Sequence, residues 1–374
     1  MAKVRVPMGA PDIDEADIAA VGDVLRSGQI TLGPVTARFE RAFADYVGAE
    51  HAVAVCNGTA ALHLCIRAAE IGPGDEVVTS PYSYVASANA ILFEGATPVF
   101  ADVEEESLTL DPALAAAAVN GRTRALLPVH VFGQACAMEP LAALAAERGL
   151  ALIEDACEAI GSEHEGRRIG GTGGPSVFSF FPNKQMTTGE GAIVTTADAG
   201  LAETLRSLRN QGRDESGAWL SARFGYNYRM TEMSAALGLS QLGRLERMLA
   251  AREAVASLYR ERLGAIPGIR LIAPVPRTTR QSWFAAIARL DEGLDRDRVI
   301  DGLAELGIPA RPYFSPLHLL PWIRDRFGYA EGDFPVTERA ARATLALPFH
   351  NRLRADEVDM VGEALEQVLA GAGR

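Results

Sequence analysis

The sequence lacks what a membrane span, a disulfide scaffold or a nucleic-acid binder would need. No stretch is long and apolar enough to cross a bilayer. Residues 1–10 carry no apolar signal-peptide core, so the expected location is the cytoplasm, with no membrane partner. Cysteine is scarce, with Cys56, Cys65, Cys136 and Cys157 the four in 374 residues. They form no CxxC pair and no zinc-finger spacing with histidine, so neither a disulfide framework nor a metal site is expected. Each lies in an apolar stretch, where a thiol packs as a small hydrophobe, and all four are read as free core thiols. Positive charge is outnumbered, with 36 Lys and Arg against 48 Asp and Glu and a formal net charge of −12. That balance argues against a general nucleic-acid partner, because phosphate backbones need a basic surface. An anionic small substrate stays open through a local Arg or Lys cluster.

What is present reads as a soluble globular chain, 48% hydrophobic and 22% charged. Its length exceeds what one core usually holds, which predicts a large and a smaller domain. Short, nearly continuous apolar runs at 76–80, 97–100, 125–131 and 151–155 read as strands, with a helix at 138–147 between the last two. Such runs predict an α/β fold with a mainly parallel sheet covered on both faces. Ligands of these sheets bind outside the carboxyl ends of the strands. Runs at 177–181 and 192–196 form a later pair, joined by a polar, Gly-containing segment. One long helix is expected from about Thr231 to about Leu263, ended by Ile266-Pro267-Gly268. The domain boundary is placed inside that helix, giving a large domain at 1–250 and a smaller α+β domain at 251–374. The latter should hold a strand near 283–290, a helix near 295–306 and a final helix at 355–369.

Several polar residues stand where such a sheet builds sites. Asn57-Gly58-Thr59 follows an apolar run and opens a helix. A helix start offers unpaired N–H groups and a positive dipole end to a phosphate, though an ordinary cap reads the same way. Asp155 ends a strand, where its carboxylate could bond a protonated ring nitrogen or simply begin a turn. Lys184 lies in the polar turn between two strands, with Ser179 before it and Gly189-Glu190-Gly191 after it. Most turn lysines are solvated charges; a cleft beside the sheet would make this one a nucleophile. Tyr84 could stack on a flat ring or pack in a core. Asn227 precedes the long helix as a turn or cap residue.

In order along the chain, residues 28–34, 57–62, 81–89, 128–134, 153–159, 178–191, 227–230 and 311–318 resemble the DegT/StrS family of sugar aminotransferases. These are pyridoxal-phosphate-dependent enzymes of the aspartate-aminotransferase fold type I. The resemblance implies pyridoxal 5'-phosphate held as a Schiff base on Lys184, which also shuttles the substrate proton. Asp155 matches the partner of the ring nitrogen, Tyr84 the aromatic stacked on the ring, and Gly58, Thr59 and Ser179 the phosphate ligands. Asn227 matches an asparagine that reaches the phosphate from a neighbouring subunit, which implies a homodimer with shared sites. Glu158 falls where many members place Gln or His near the ring hydroxyl. Arg229, Arg311 and His318 are candidates for the substrate side. The implied reaction moves an amino group from L-glutamate to a keto sugar, a nucleotide-linked 4-keto-6-deoxy sugar, in amino-sugar biosynthesis. The alternatives are a dehydratase or a cyclitol aminotransferase of the same family, and a regulatory protein with a degenerate site. Retention of Lys184, Asp155 and Ser179 speaks against the last.

Overall fold

Two four-stranded ladders meet in the central layer of the computed structural model, which describes residues 4–172, 174–214 and 221–372. The first runs Thr97–Phe100, Glu76–Thr79, Thr123–Leu127, Ala151–Leu152 and is parallel throughout. The second runs His51–Val55, Ala192–Thr196, Ser176–Ser179, Glu154–Asp155. They join because Ala151–Leu152 ends one ladder and Glu154–Asp155, one residue on, begins the other. The expected mainly parallel α/β sheet is there. Ala192–Thr196 alone runs antiparallel to both its neighbours. It is the return from Ser176–Ser179, and the turn between them carries Lys184. Val77, Val78, Leu126, Leu127, Ile153 and Val177 are almost fully buried, as strands covered on both faces require. The expected strand at 125–131 stops at Leu127. Pro128 has no N–H for the ladder, Val129 keeps one parallel bridge to Asp155, and a tight turn follows at Val131–Gly133.

The single long helix does not form. Glu232–Leu242 and Leu245–Gly264 are separate helices, broken at Gly243 and Arg244. Glycine weakens a helix interior. Arg244 instead turns to Asp12, Asp14 and Asp17 in the N-terminal segment. The second of these helices serves two cores. Leu245, Met248 and Leu249 pack with Phe39, Phe43 and Phe180, whereas Val255, Ala256, Tyr259 and Leu263 pack with Trp283, Leu345 and Leu365. The latter core lies against an antiparallel sheet ordered Ile269–Leu271, Ala286–Leu290, Thr344–Leu347, Arg311–Pro312. Helices Arg296–Glu305 and Ala355–Ala372 cover it, which is the α+β character expected for the C-terminal part.

Two buried side chains, His130 and Arg252, fix the region around Asp155 and Lys184. His130 and Glu154 are fully buried, with Nε2 and Oε2 2.9 Å apart. The Cys136 N–H donates to His130 Nδ1, so the ring proton sits on Nε2 and points at Glu154. The His130 N–H donates to the Asp155 carbonyl, which ties the same loop to the end of the strand. The guanidinium of buried Arg252, in Leu245–Gly264, donates from Nη2 to the Lys184 carbonyl and from Nη1 to those of Trp283 and Phe284.

All four cysteines are free, but only Cys65 and Cys136 are buried in the cores. Cys56 and Cys157 are half-buried, and Cys157 faces a cavity, so the expectation of four core thiols fails for these two. No helix among the described residues is long and apolar enough to cross a membrane.

Candidate active site

A cavity of about 770 Å³ opens at the carboxyl ends of the central strands, bordered by the segment 311–315 from the antiparallel layer. Five of the expected residues line it from the strand ends: Gly58, Thr59, Asp155, Glu158 and Ser179. Lys184, Tyr84 and Arg311 complete the set on the same cavity.

One end suits an anion. Asn57 Oδ1 accepts the Ala60 N–H at 2.9 Å and caps the helix Gly58–Ala68, leaving the Gly58 and Thr59 N–H groups without partners inside the helix. A side chain at Gly58 would meet Cys157 Sγ at 3.2 Å and Ser179 Cβ at 3.4 Å. The bare backbone therefore leaves a cradle between helix start and the Ser179 hydroxyl.

Deeper in, Asp155 is only 6% exposed. Its Oδ2 accepts from Ser87 Oγ at 2.7 Å, and its Oδ1 from the Cys157 N–H at 3.2 Å. Cys157 stays a thiol, because burial first and the Asp155 charge second push its pKa well up.

Lys184 comes in from the turn after Ser176–Ser179. Its backbone N–H donates to Phe181 O, its side chain is 12% exposed, and its Nζ lies 4.1 Å from the centre of the Phe284 ring. Nζ is 3.6 Å from Glu158 Oε1. Burial raises the Glu158 carboxyl above its usual range, and the Lys184 charge opposes that rise. Tyr84 is 64% exposed at the mouth, so it does not pack in a core and leaves a ring face free.

Three expected residues lie elsewhere. His318 is 0% exposed, with Nε2 3.1 Å from Glu338 Oε1 and its ring edge-on to Phe334 at 4.7 Å. It is a packed loop histidine and cannot line a substrate. Arg229 donates to Asn210 Oδ1 at 3.0 Å and borders a separate depression of about 280 Å³ beside Arg206 and Glu203. Asn227 is exposed and outside this cavity. Tyr228, between them, does line it. The reason is extended backbone, which sends alternate side chains to opposite sides. Asn227 bridges Asn210, and Arg229 bridges Val55.

Ser87, Phe284 and Tyr313, which touch Asp155, Lys184 and Glu158 respectively, were not singled out by sequence reasoning. Ser87 and Tyr313 fall inside the matched segments 81–89 and 311–318, which was the available signal.

Residues 11–366 match the model of the DegT/DnrJ/EryC1/StrS aminotransferase family. The chain belongs to that family. It is 42% identical over 369 residues to the GDP-perosamine synthase of Caulobacter vibrioides, covering 98% of each chain. Among solved structures, DesV of S. venezuelae, in complex with a ketimine intermediate, matches all of both chains at TM-score 0.91 and 37% identity. Spr1654 from Streptococcus pneumoniae matches in its PLP form at TM-score 0.93 and 29% identity over 98% of this chain and 99% of its own, and its PMP form matches at TM-score 0.93 and 30% identity. The protein is a pyridoxal-phosphate-dependent aminotransferase of fold type I, and its cofactor is pyridoxal 5'-phosphate. The residues present fit that group: a cradle without a side chain for the phosphate, a buried carboxylate for the ring nitrogen and a primary amine for the aldehyde.

Proposed function

We propose that the protein transfers an amino group from L-glutamate to a 4-keto-6-deoxy sugar carried on a nucleoside diphosphate, in the cytoplasm, as a step of amino-sugar biosynthesis. The observation that carries the reading is one amine, Lys184 Nζ, on the same cavity as the Asp155 carboxylate and the Gly58 cradle. The GDP-linked amino sugar named for the Caulobacter relative supports a nucleotide sugar as the acceptor class.

In this reading Gly58, Thr59 and Ser179 hold the cofactor phosphate, Tyr84 covers the ring, and Asp155 keeps the ring nitrogen protonated. The cofactor supplies an electron sink for the bond that breaks at the substrate carbon. Lys184 holds it covalently. With the donor bound, Nζ would take the proton from the donor's α-carbon, and with the keto sugar bound it would deliver a proton to the sugar carbon. Asn227 and Arg229 face away from their own cavity, which supports a homodimer in which they complete the partner's site. Arg311 is the local cation for the diphosphate. The chain divides near residue 250, where Leu245–Gly264 passes from one core to the other.

The deciding experiment incubates purified protein with L-glutamate and candidate keto sugars. Amino sugar formed together with 2-oxoglutarate supports the proposal; a dehydrated sugar without 2-oxoglutarate favours the dehydratase reading. Two variants probe the roles. Asp155→Asn should lower kcat/KM by about 10²–10³-fold, the cost of removing one preorganised electrostatic partner, as measured in steady-state assays. Gly58→Ala should weaken cofactor binding about tenfold, because the added methyl overpacks against Cys157 and Ser179. Titrating cofactor-free protein with pyridoxal phosphate and following its fluorescence checks this.

A further inference from the structure

Glu158 is held by more contacts than a ring-hydroxyl ligand needs. Its Oε2 accepts the Phe132 N–H at 2.9 Å. Its Oε1 accepts from the Tyr313 hydroxyl at 3.1 Å and faces Lys184 Nζ at 3.6 Å. The carboxylate plane is therefore fixed from two sides. One bond comes from the loop after Thr123–Leu127, the other from the antiparallel layer 155 residues along the chain. The side chain of Gln185, next to the lysine, donates to the Glu158 carbonyl at 2.7 Å and anchors its backbone.

We infer that Glu158 is the counter-ion of the Lys184 nitrogen and that Tyr313 is the positioning residue that aims it. The inference rests on the cofactor reading above and concerns which charge governs the reactive nitrogen. A buried anion beside a nitrogen favours its protonated form. With the cofactor bound, a proton kept on that nitrogen would make Lys184 easier for the donor's amine to replace. The other groups around Glu158 do not replace it. Asp155 and Cys157, on its own segment, are hydrogen-bonded to each other, with Cys157 held as a thiol. Arg311 lines the cavity from the strand edge. Arg252 bonds the Lys184 carbonyl and not the carboxylate. Tyr313 stays protonated and donating, because burial first and the Glu158 charge second raise its pKa.

The test uses two readouts on full-length protein. In cofactor-free protein, the pH dependence of acylation at Lys184 is followed by mass spectrometry of its peptide. In the holoenzyme, the visible band is titrated with pH. Glu158→Gln keeps the size and can keep one accepted bond, but it carries no charge. Both midpoints should move to lower pH by about one to three units. Tyr313→Phe removes only the hydroxyl and should move them less, in the same direction; it also serves as the test should Glu158→Gln fail to fold. Midpoints that superimpose on the wild type in the folded variant overturn the inference. A holoenzyme with no cofactor band on Lys184 overturns the cofactor reading instead, while the acylation profile still decides the counter-ion.

Discussion

Lys184→Ala protein is expected to fold normally and to lose transamination by about 10⁴-fold or more, since in the proposed mechanism the substitution removes both the nucleophile and the proton carrier. The fold survives because the structural bonds at this position are backbone ones. The Lys184 N–H bonds Phe181 and its carbonyl accepts from Arg252, neither of which needs the side chain. What the side chain gives the fold is its contact with the Phe284 ring and its pairing with Glu158, and the former is worth about 1 kcal/mol. Release of 2-oxoglutarate from L-glutamate measures the loss. Borohydride reduction of the holoenzyme, followed by mass spectrometry, should place the pyridoxyl label on the Lys184 peptide of the wild type and nowhere in the variant. A label of unchanged yield in the variant would take this lysine out of the mechanism.

His130→Ala should cost about 3–5 kcal/mol of folding free energy, the usual effect of breaking a buried pair by removing one partner. Glu154 would be left in the interior without its His130 partner, keeping the hydrogen bond from Thr172 Oγ1 at 2.8 Å. The loop bond from the His130 N–H to the Asp155 carbonyl would also lose its support, so the variant should bind cofactor less tightly as well. Acid should mimic the defect. The Glu154 carboxyl is strongly buried, which alone would raise its pKa, but His130, Thr172 and Ser176 together hold it below its ordinary value. A depressed carboxyl contributes stability above its unfolded pKa near 4.5, and that contribution fades as pH falls through the lower folded value. Urea melts of wild type and variant from neutral pH to well below pH 4.5 would show both effects, and equal midpoints at neutral pH would contradict the first.

The central sheet was readable because its strands are buried on both faces, which writes unbroken apolar runs such as Val77-Val78 and Leu126-Leu127. The turn bearing Lys184 and the strand end bearing Asp155 were readable because polar residues interrupt those runs at fixed places. The break at Gly243 was harder to see, since apolar spacing continues on both sides and the cause is Arg244 reaching residues 12–17. His318 misled because a histidine in a matched loop looks the same in sequence whether it faces a ligand or Glu338. Asn227 and Arg229 show the limit of reading one chain: extended backbone turns both from their own cavity while Tyr228 lines it. Tyr313 was invisible as a partner of Glu158 because only tertiary packing brings residues so distant in sequence together.

The Arg252 guanidinium gathers three carbonyls, one from the lysine turn and two from the approach to Ala286–Leu290. Any tilt of the antiparallel layer therefore carries the Lys184 turn along with it. A packing change in that layer is thereby passed on to the turn that carries Lys184, so the two walls of the cavity are coupled through a single guanidinium.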